Sequence, residues 1–156
     1  MKTILQILRP RTGLIVGCNN DPGHSGVRRA TREFLDGLGP EARVRWQFVE
    51  NLNRDDFLRA LWAADALVGN SSSGILEANA LGTTVVNIGP RQAGRQRNGN
   101  AVFDCAYSAA AIRSALAQAA AFGRTHKIRS RRAFGTGRVK FGPYSYASQL
   151  WATPSG

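Results

Sequence analysis

Three consecutive serines follow a short apolar run and open a predicted helix, in the segment GNSSSGILE (69–77). Backbone N–H groups at the start of a helix lack intrahelical acceptors and lie at the positive end of its dipole, so they favour an anion. Serine hydroxyls add donors, and Gly74 has no side chain to keep a phosphate from the backbone. Glu77 lies one turn further and can accept hydrogen bonds from two vicinal ribose hydroxyls. The spacing fits a nucleoside diphosphate, but an ordinary serine N-cap explains it equally well.

Two other polar segments also follow apolar runs. The loop GPRQAGR (89–95) carries Arg91 and Arg95, and a guanidinium group presents a planar fork of donors to phosphate. The segment NNDPG (19–23) offers amide and carboxylate side chains that can bind a base or a sugar edge. Taken alone, the first is better explained as a solvated basic loop and the second as an Asx turn.

The net charge of +11 raises the question of nucleic-acid binding. Arginine supplies 18 of the 21 basic residues, and residues 105–156 carry eight basic residues and no acidic one. The densest run, RTHKIRSRR (124–132), could bind an anionic surface, or could be a solvated tail or a face toward an acidic partner domain. Because no zinc-finger, helix-turn-helix or aromatic-interleaved basic motif accompanies it, the sequence does not favour nucleic acid.

The remaining composition points to a cytoplasmic protein without a metal or a cofactor. Neither Cys18 nor Cys105 belongs to a CxxC pair or has a histidine at ligand spacing, so both are predicted to be small buried hydrophobic residues. No apolar run approaches the ~20 residues that cross a bilayer. The amino terminus lacks the cleavage site of a signal peptide.

Predicted strands and helices alternate along the chain, which is typical of an α/β fold with a doubly wound, mostly parallel, Rossmann-like sheet. The predicted strands are 13–18, 43–49, 66–69, 84–88 and 101–103, and the predicted helices are 2–9, 25–38, 54–64, 72–81, 108–122 and 147–151. We expect one domain over residues 1–123, followed by a basic extension over residues 124–156. Ligands of such sheets bind at the carboxyl ends of the strands, where all three polar segments fall.

The series NNDPG (19–23), NLNRDDFL (51–58), GNSSSGILEA (69–78) and GTTVVNIGPRQAGR (82–95) resembles the hydrolysing UDP-N-acetylglucosamine 2-epimerases of sialic-acid or related sugar pathways. The resemblance covers about residues 13–122 and implies the carboxyl-terminal, UDP-binding half of a GT-B fold. It implies UDP or UDP-N-acetylglucosamine as ligand. The residues it places at the UDP site are Asn19, Asn51, Asn70, Ser71, Ser72, Ser73, Gly74, Glu77 and Arg91. Arg29 and Arg32 match a region that takes part in feedback control by an activated sialic acid in some relatives, although arginines on the exposed face of an amphipathic helix explain them better.

Members of this family have two Rossmann-like domains, and the amino-terminal domain supplies the acidic residues that act on the C2 proton of the sugar. We therefore expect this chain to lack the first domain, the first strand of the second domain and a histidine of the catalytic region. No residue of the chain is predicted to be catalytic, and the chain alone is expected to be inactive. A separately encoded amino-terminal domain is a candidate partner, and an exposed sheet edge makes self-association plausible. A non-catalytic nucleotide-sugar binding module and a nucleic-acid binder remain as alternatives.

Overall fold

The computed structural model describes residues 1–17 and 24–126, which form two compact units, Met1–Arg54 and a second unit that begins at Asp55. Both units consist of parallel strands connected by helices, so the predicted α/β class is confirmed. None of the described helices has the length and apolar character that crossing a membrane requires. The predicted boundary at residue 123 stays a prediction, and the predicted helix over 147–151 lies outside the described residues.

The first unit has a two-stranded parallel sheet with helices packed against it. Its core contains Ile15, Phe34 and Trp46, and the two aromatic rings meet edge to face with their centroids 5.0 Å apart. Gly13 faces the Trp46 ring, because a Cβ at that position would lie 2.3 Å from it. The elements in chain order are α1 (Lys2–Leu8), β1 (Gly13–Val16), α2 (His24–Asp36), α3 (Pro40–Arg43) and β2 (Trp46–Val49).

The second unit has a three-stranded parallel sheet whose central strand is buried along its whole length. Its elements are α4 (Arg54–Ala63), β3 (Ala66–Gly69), α5 (Ser72–Leu76), β4 (Thr84–Ile88), β5 (Val102–Cys105) and α6 (Ala109–Thr125). The strand order is β3-β4-β5, and the register pairs Val68 with Val86 and Val86 with Phe103. Because the three strands run in one direction, the loops that follow them emerge at one edge of the sheet.

Helices cover both faces of this sheet. On one face, Val85 packs with Leu61 of α4 and with Ala78, which follows α5. On the other face, a Cβ at Gly123 of α6 would lie 3.6 Å from Thr84, and the α6 residue Phe122 meets the ring of Phe103. The alternation of residues 84 and 85 between the faces follows from the two-residue period of a strand. The second unit is therefore doubly wound, as the sequence predicts.

Two predicted elements have another type of secondary structure over part of their range, whereas others differ only in where they begin or end. The predicted strand over 43–49 begins only at Trp46, because Pro40 starts the short helix α3 and Val44 is 81 % exposed instead of facing a core. The predicted helix over 72–81 is broken at Glu77, where α5 ends and a 3-10 turn over Ala78–Leu81 begins. The turn ends at Gly82 with a φ of +86°, a conformation that glycine adopts at no steric cost.

A buried asparagine holds the chain where it returns from α5 to β4. The Asn79 Nδ2 donates to the carbonyl of Thr83 at 3.0 Å, and the Asn79 Oδ1 accepts from the Ala101 N–H at 2.9 Å. Gly99 passes so close that a Cβ there would lie 2.2 Å from the Asn79 Oδ1. One side chain therefore connects the entry to β4 with the entry to β5.

Replacing Asn79 by leucine should destabilise the protein by about 2–4 kcal/mol, because two buried backbone groups lose their partner and leucine brings none. Urea unfolding of the 156-residue chain measures the change. Gln118→Leu, on the exposed surface of α6, is the matched control and should change the free energy of unfolding by less than about 0.5 kcal/mol. Equal stability of the two variants would contradict this role of Asn79.

Candidate functional site

The carboxyl edge of the β3-β4-β5 sheet brings together most of the predicted site residues. The serine loop follows β3, the turn with Arg91 follows β4, and Tyr107 stands two residues after β5. Since ligands of parallel α/β sheets bind at this edge, the edge is the candidate site of the second unit.

The serine loop presents side-chain donors rather than a row of free backbone groups. Ser71 is the N-cap of α5, and its Oγ accepts from the Ser73 N–H at 3.3 Å. The Gly74 N–H donates to the carbonyl of Ser71 at 3.2 Å. The hydroxyls of Ser72 and Ser73 make no hydrogen bond to any residue that the structure describes. Those two hydroxyls are therefore available to an anion, whereas the N–H groups of Ser73 and Gly74 are already used.

Gly74 has a packing role that the sequence analysis did not predict. It is buried, and a Cβ at Gly74 would lie 2.9 Å from Val85 Cγ1 and 3.4 Å from Leu67. The missing side chain thus allows α5 to lie directly on β3 and β4. Packing therefore explains the glycine without the predicted close approach of a phosphate. The contact of Gly74 with a ligand stays a prediction.

Glu77 is half-buried and stands at the end of α5 instead of inside a longer helix. Its N–H donates to the carbonyl of Ser73 at 2.9 Å, which fixes its backbone one turn from the serines. The predicted separation between the serines and the carboxylate is therefore present. Its role in ribose binding stays a prediction.

The turn after β4 carries a buried glutamine that the sequence analysis passed over in favour of its neighbour Arg91. Gly89 has a φ of +82°, and the 3-10 turn Pro90–Gln92 follows. Arg91 is exposed, whereas Gln92 is 2 % exposed and its Nε2 donates to the carbonyl of Asn70 at 2.7 Å. The bond joins the two predicted phosphate loops. In the sequence, Gln92 stands in the polar segment GPRQAGR (89–95), and nothing in that segment indicates that its side chain is buried.

A second set of polar side chains fixes the loop between Arg91 and β5. The Asn98 Nδ2 donates to the carbonyl of Leu76 at 2.9 Å, at the end of α5. Asp104 accepts from the buried Asn87 at 2.8 Å and also pairs with Arg97. Asp104 therefore ties the loop to β4 and β5. A carboxylate engaged in this way acts as a structural anchor.

Cys105, the last residue of β5, is half-buried rather than fully buried as predicted, and it forms no disulfide. Burial, and secondly the Asp104 carboxylate, raise the pKa of its thiol. The thiol therefore stays protonated at neutral pH and is a poor nucleophile. Cys18 lies outside the described residues. Among residues 1–17 and 24–126, no group of three histidine, cysteine or acidic residues is arranged to hold a metal ion.

Two further residues, Asn19 and Asn51, are also predicted to bind UDP. Asn51 is exposed and follows β2 in the first unit, and Asn19 lies outside the described residues. Their contact with a nucleotide stays a prediction. Asn70 contributes its carbonyl to the Gln92 bond, so its backbone has a structural role in addition to any ligand contact.

The two predicted regulatory arginines have different surroundings within the first unit. Arg29 lies 3.9 Å from Glu33, whose pKa is lowered chiefly by its hydrogen bond with Lys2. Arg32 instead lines a cavity of about 190 Å³ between α2, α3 and β2, together with Thr31, whose buried hydroxyl has no hydrogen-bond partner among the described residues. The two arginines lie three residues apart on α2, and their part in regulation stays a prediction.

Comparison with known proteins decides the family. The model of the family described as UDP-N-acetylglucosamine 2-epimerase matches residues 2–140, most of the chain. The chain belongs to this family. Its membership agrees with the motifs at residues 69–78 and 82–95, which lie at the edge described above.

Curated relatives of this epimerase-family chain carry related names. A protein of Legionella pneumophila named UDP-N,N'-diacetylbacillosamine 2-epimerase (hydrolyzing) is 37% identical over 92 residues, 58% of this chain and 23% of that protein. A protein of Campylobacter jejuni named GDP/UDP-N,N'-diacetylbacillosamine 2-epimerase (hydrolyzing) is 43% identical over 70 residues, 45% of this chain and 18% of that protein. The polysialic acid biosynthesis protein P7 of Escherichia coli is 30% identical over 89 residues, 57% of this chain and 21% of that protein. The chain thus matches about a fifth of the length of each relative.

Changing Gln92 tests the link between the two loops of this epimerase-family site. Gln92→Leu removes the donor to Asn70 and should cost about 1–3 kcal/mol. Gln92→Glu should cost more at pH 7, because a buried carboxylate then faces a carbonyl. Burial raises the pKa of the introduced acid, so lowering the pH to 5 should protonate it, restore a donor and reduce the cost.

Urea unfolding at the two pH values measures both effects. Gln96→Glu, at an exposed position of the same loop, is the control and should show neither the loss nor the pH dependence. A Gln92→Glu protein as stable as the Gln96→Glu protein at pH 7 would contradict the proposed link.

Proposed function

We propose that this chain is the UDP-binding part of a hydrolysing 2-epimerase that acts on UDP-N-acetylglucosamine or a closely related UDP-sugar. Family membership supports the reaction class, and the names of two relatives specify a hydrolysing 2-epimerase of a diacetamido sugar nucleotide. The observation that carries the proposal is the paired arrangement of the serine loop and the Arg91 turn, tied together by the Gln92–Asn70 bond. A cytoplasmic location and a place in sialic-acid or related sugar synthesis are parts of the same proposal.

The chemistry of the edge suits the diphosphate of UDP. The hydroxyls of Ser72 and Ser73 have no protein acceptor among the described residues, so they can donate to phosphate oxygens. Arg91 adds a positive charge on a turn whose position the Gln92 side chain fixes. Glu77, one turn from Ser73, supplies an acceptor for the ribose hydroxyls. Asn51 and Asn19 are proposed to lie near the nucleotide from their match to the family motifs.

In the proposed reaction, a base removes the proton at C2 of the sugar and UDP leaves from C1. Water then adds, and the products are N-acetylmannosamine and UDP. The departing UDP gains negative charge, which donors at the serine loop and Arg91 stabilise. Neither acid at this edge is assigned as the base. Asp104 is bound by Arg97 and Asn87, and Glu77 is assigned to the ribose. We therefore assign removal of the C2 proton to an amino-terminal domain, which a separately encoded partner can supply.

Two alternatives make different predictions for the same residues. A nucleotide-sugar binding module without catalysis would bind UDP through the same loop and would need no partner domain. A nucleic-acid binder would use the excess of arginine, and its affinity would fall steeply with salt while remaining indifferent to Glu77. The serine loop and its carboxylate favour a nucleotide over a polyanion, because they contribute neutral donors and one acceptor.

Loss of the Glu77 carboxylate should weaken UDP binding at least about tenfold, because two ribose hydroxyls lose a charged acceptor worth about 1.5–3 kcal/mol. Glu77→Gln keeps one acceptor oxygen and should lose less than Glu77→Ala. Isothermal titration of the 156-residue chain with UDP measures the affinities.

Glu41→Ala is the matched control, because it removes the same charge from an exposed position of α3 in the first unit. It should bind UDP as the unmodified protein does. Binding of single-stranded RNA that falls steeply with salt, together with no binding of UDP, would support the nucleic-acid alternative and contradict the proposal.

The purified chain alone should release no N-acetylmannosamine from UDP-N-acetylglucosamine, because the group that removes the C2 proton is assigned to another domain. A coupled assay for N-acetylmannosamine, calibrated with a complete hydrolysing epimerase, measures the activity. Addition of a separately produced amino-terminal domain should generate activity, and Glu77→Ala should abolish it. Turnover by the chain alone would contradict the proposed division of labour.

A further inference from the structure

Tyr107 stands at the carboxyl edge of the sheet in a position that the proposed function does not use. It follows β5 by two residues and is 65 % exposed, one of few large hydrophobic side chains on the described surface. Its ring lies against the turn after β4, since a Cβ on Gly89 would come within 2.3 Å of both the Cζ and the hydroxyl of Tyr107. The ring is therefore held on one side by the backbone that leads to Arg91.

Holding the fold together does not explain this exposure. Ser108, not Tyr107, caps α6, and its Oγ accepts from the Ala111 N–H at 3.2 Å. Gly89 has a φ of +82°, which glycine adopts with or without a neighbouring ring. The Tyr107 hydroxyl makes no hydrogen bond to any of the described residues. An aromatic ring with an exposed face, beside a candidate ligand-binding edge, is suited to contact a ligand.

The direction of the bound nucleotide sugar indicates which part of it reaches Tyr107. The ribose and the sugar leave the diphosphate from opposite ends. Glu77 lies one turn along α5, on the face of the sheet where α5 packs on Val85. If the ribose lies at Glu77 and the diphosphate at the serine loop, the sugar lies on the side of the diphosphate away from Glu77. Because the strand order is β3-β4-β5, the turn after β4 and the residues after β5 are the next segments along the carboxyl edge from the serine loop.

We propose that the exposed ring of Tyr107 forms a wall for the sugar ring of the UDP-sugar and so favours the nucleotide sugar over free UDP. This inference rests on the proposed function, because the orientation of the ligand comes from Glu77 and the serine loop. The apolar face of a pyranose packs on the ring, while the Gly89 backbone supports the ring from behind. Tyr107 is thus a specificity-determining residue for the sugar and takes no part in holding UDP.

The test compares the affinities for UDP and for UDP-N-acetylglucosamine in the 156-residue chain. Tyr107→Ala should weaken binding of UDP-N-acetylglucosamine about 3- to 10-fold, the usual range for an aromatic contact, and leave UDP binding unchanged. Tyr107→Phe keeps the ring and should behave as the unmodified protein. Thermal unfolding of each variant checks that the Gly89 turn is intact.

The outcomes separate this inference from the proposed function. If the unmodified protein binds neither UDP nor the UDP-sugar, the proposed function fails and the inference fails with it. If UDP binds but Tyr107→Ala lowers both affinities equally, Tyr107 only braces the Arg91 turn, and the inference alone is overturned. An equal loss in Tyr107→Phe and Tyr107→Ala, or no loss in either, also overturns it.

Discussion

Buried side-chain amides hold the loops of the second unit against its parallel sheet, and the candidate site depends on them. Backbone ladders end where the strands end, so the loops that follow need other partners for their polar groups. At the carboxyl edge, Gln92 bonds to Asn70, Asn98 bonds to Leu76 at the end of α5, and Asn87 bonds to Asp104 between β4 and β5. At the opposite edge, Asn79 bonds to Ala101 where the chain enters β4 and β5. Each bond connects segments that are distant in sequence. The first two bonds fix the serine loop, α5 and the loop after β4 relative to one another.

The sequence predicted the α/β class and the central strand well, because their signals are local. The run TVVNI (84–88) is apolar and β-branched, and the structure buries all five residues. The break of the helix at Glu77 had no such signal, since glutamate is a good helix former. The helix ends there because Asn79 and Gly82 turn the chain back into β4. The alternation that predicted a strand from residue 43 was likewise overruled by the helix that Pro40 starts.

Residues of the candidate site could be predicted where the residue type alone indicates a chemical role. Residues whose role depends on being buried were missed. Serine, glutamate and arginine in loops after strands suggest phosphate and ribose binding, and Ser71 and Arg91 indeed lie at one edge. Gln92 is buried whereas its neighbour Arg91 is exposed, and a single sequence does not show which of two adjacent polar residues is buried. Position 74 requires glycine because α5 lies against Val85. Such a contact between residues distant in sequence cannot be read from the sequence. The supporting residues of a site are thus harder to predict than the residues that contact its ligand.

The charges at this edge fit the binding of a group that must also leave. The serine loop contributes neutral hydroxyls, and the nearby acid Asp104 is paired with Arg97 within the loop. Arg91 and Arg95 are then the exposed cations of the loop that follows β4. Neutral donors with few cations hold a diphosphate without the affinity of a cluster of arginines, which would retain UDP after the reaction. If this chain binds UDP and another domain supplies the base, as proposed above, discrimination between the UDP-sugar substrate and the UDP product must come from contacts with the sugar. An aromatic wall such as Tyr107 provides it without adding any attraction for free UDP.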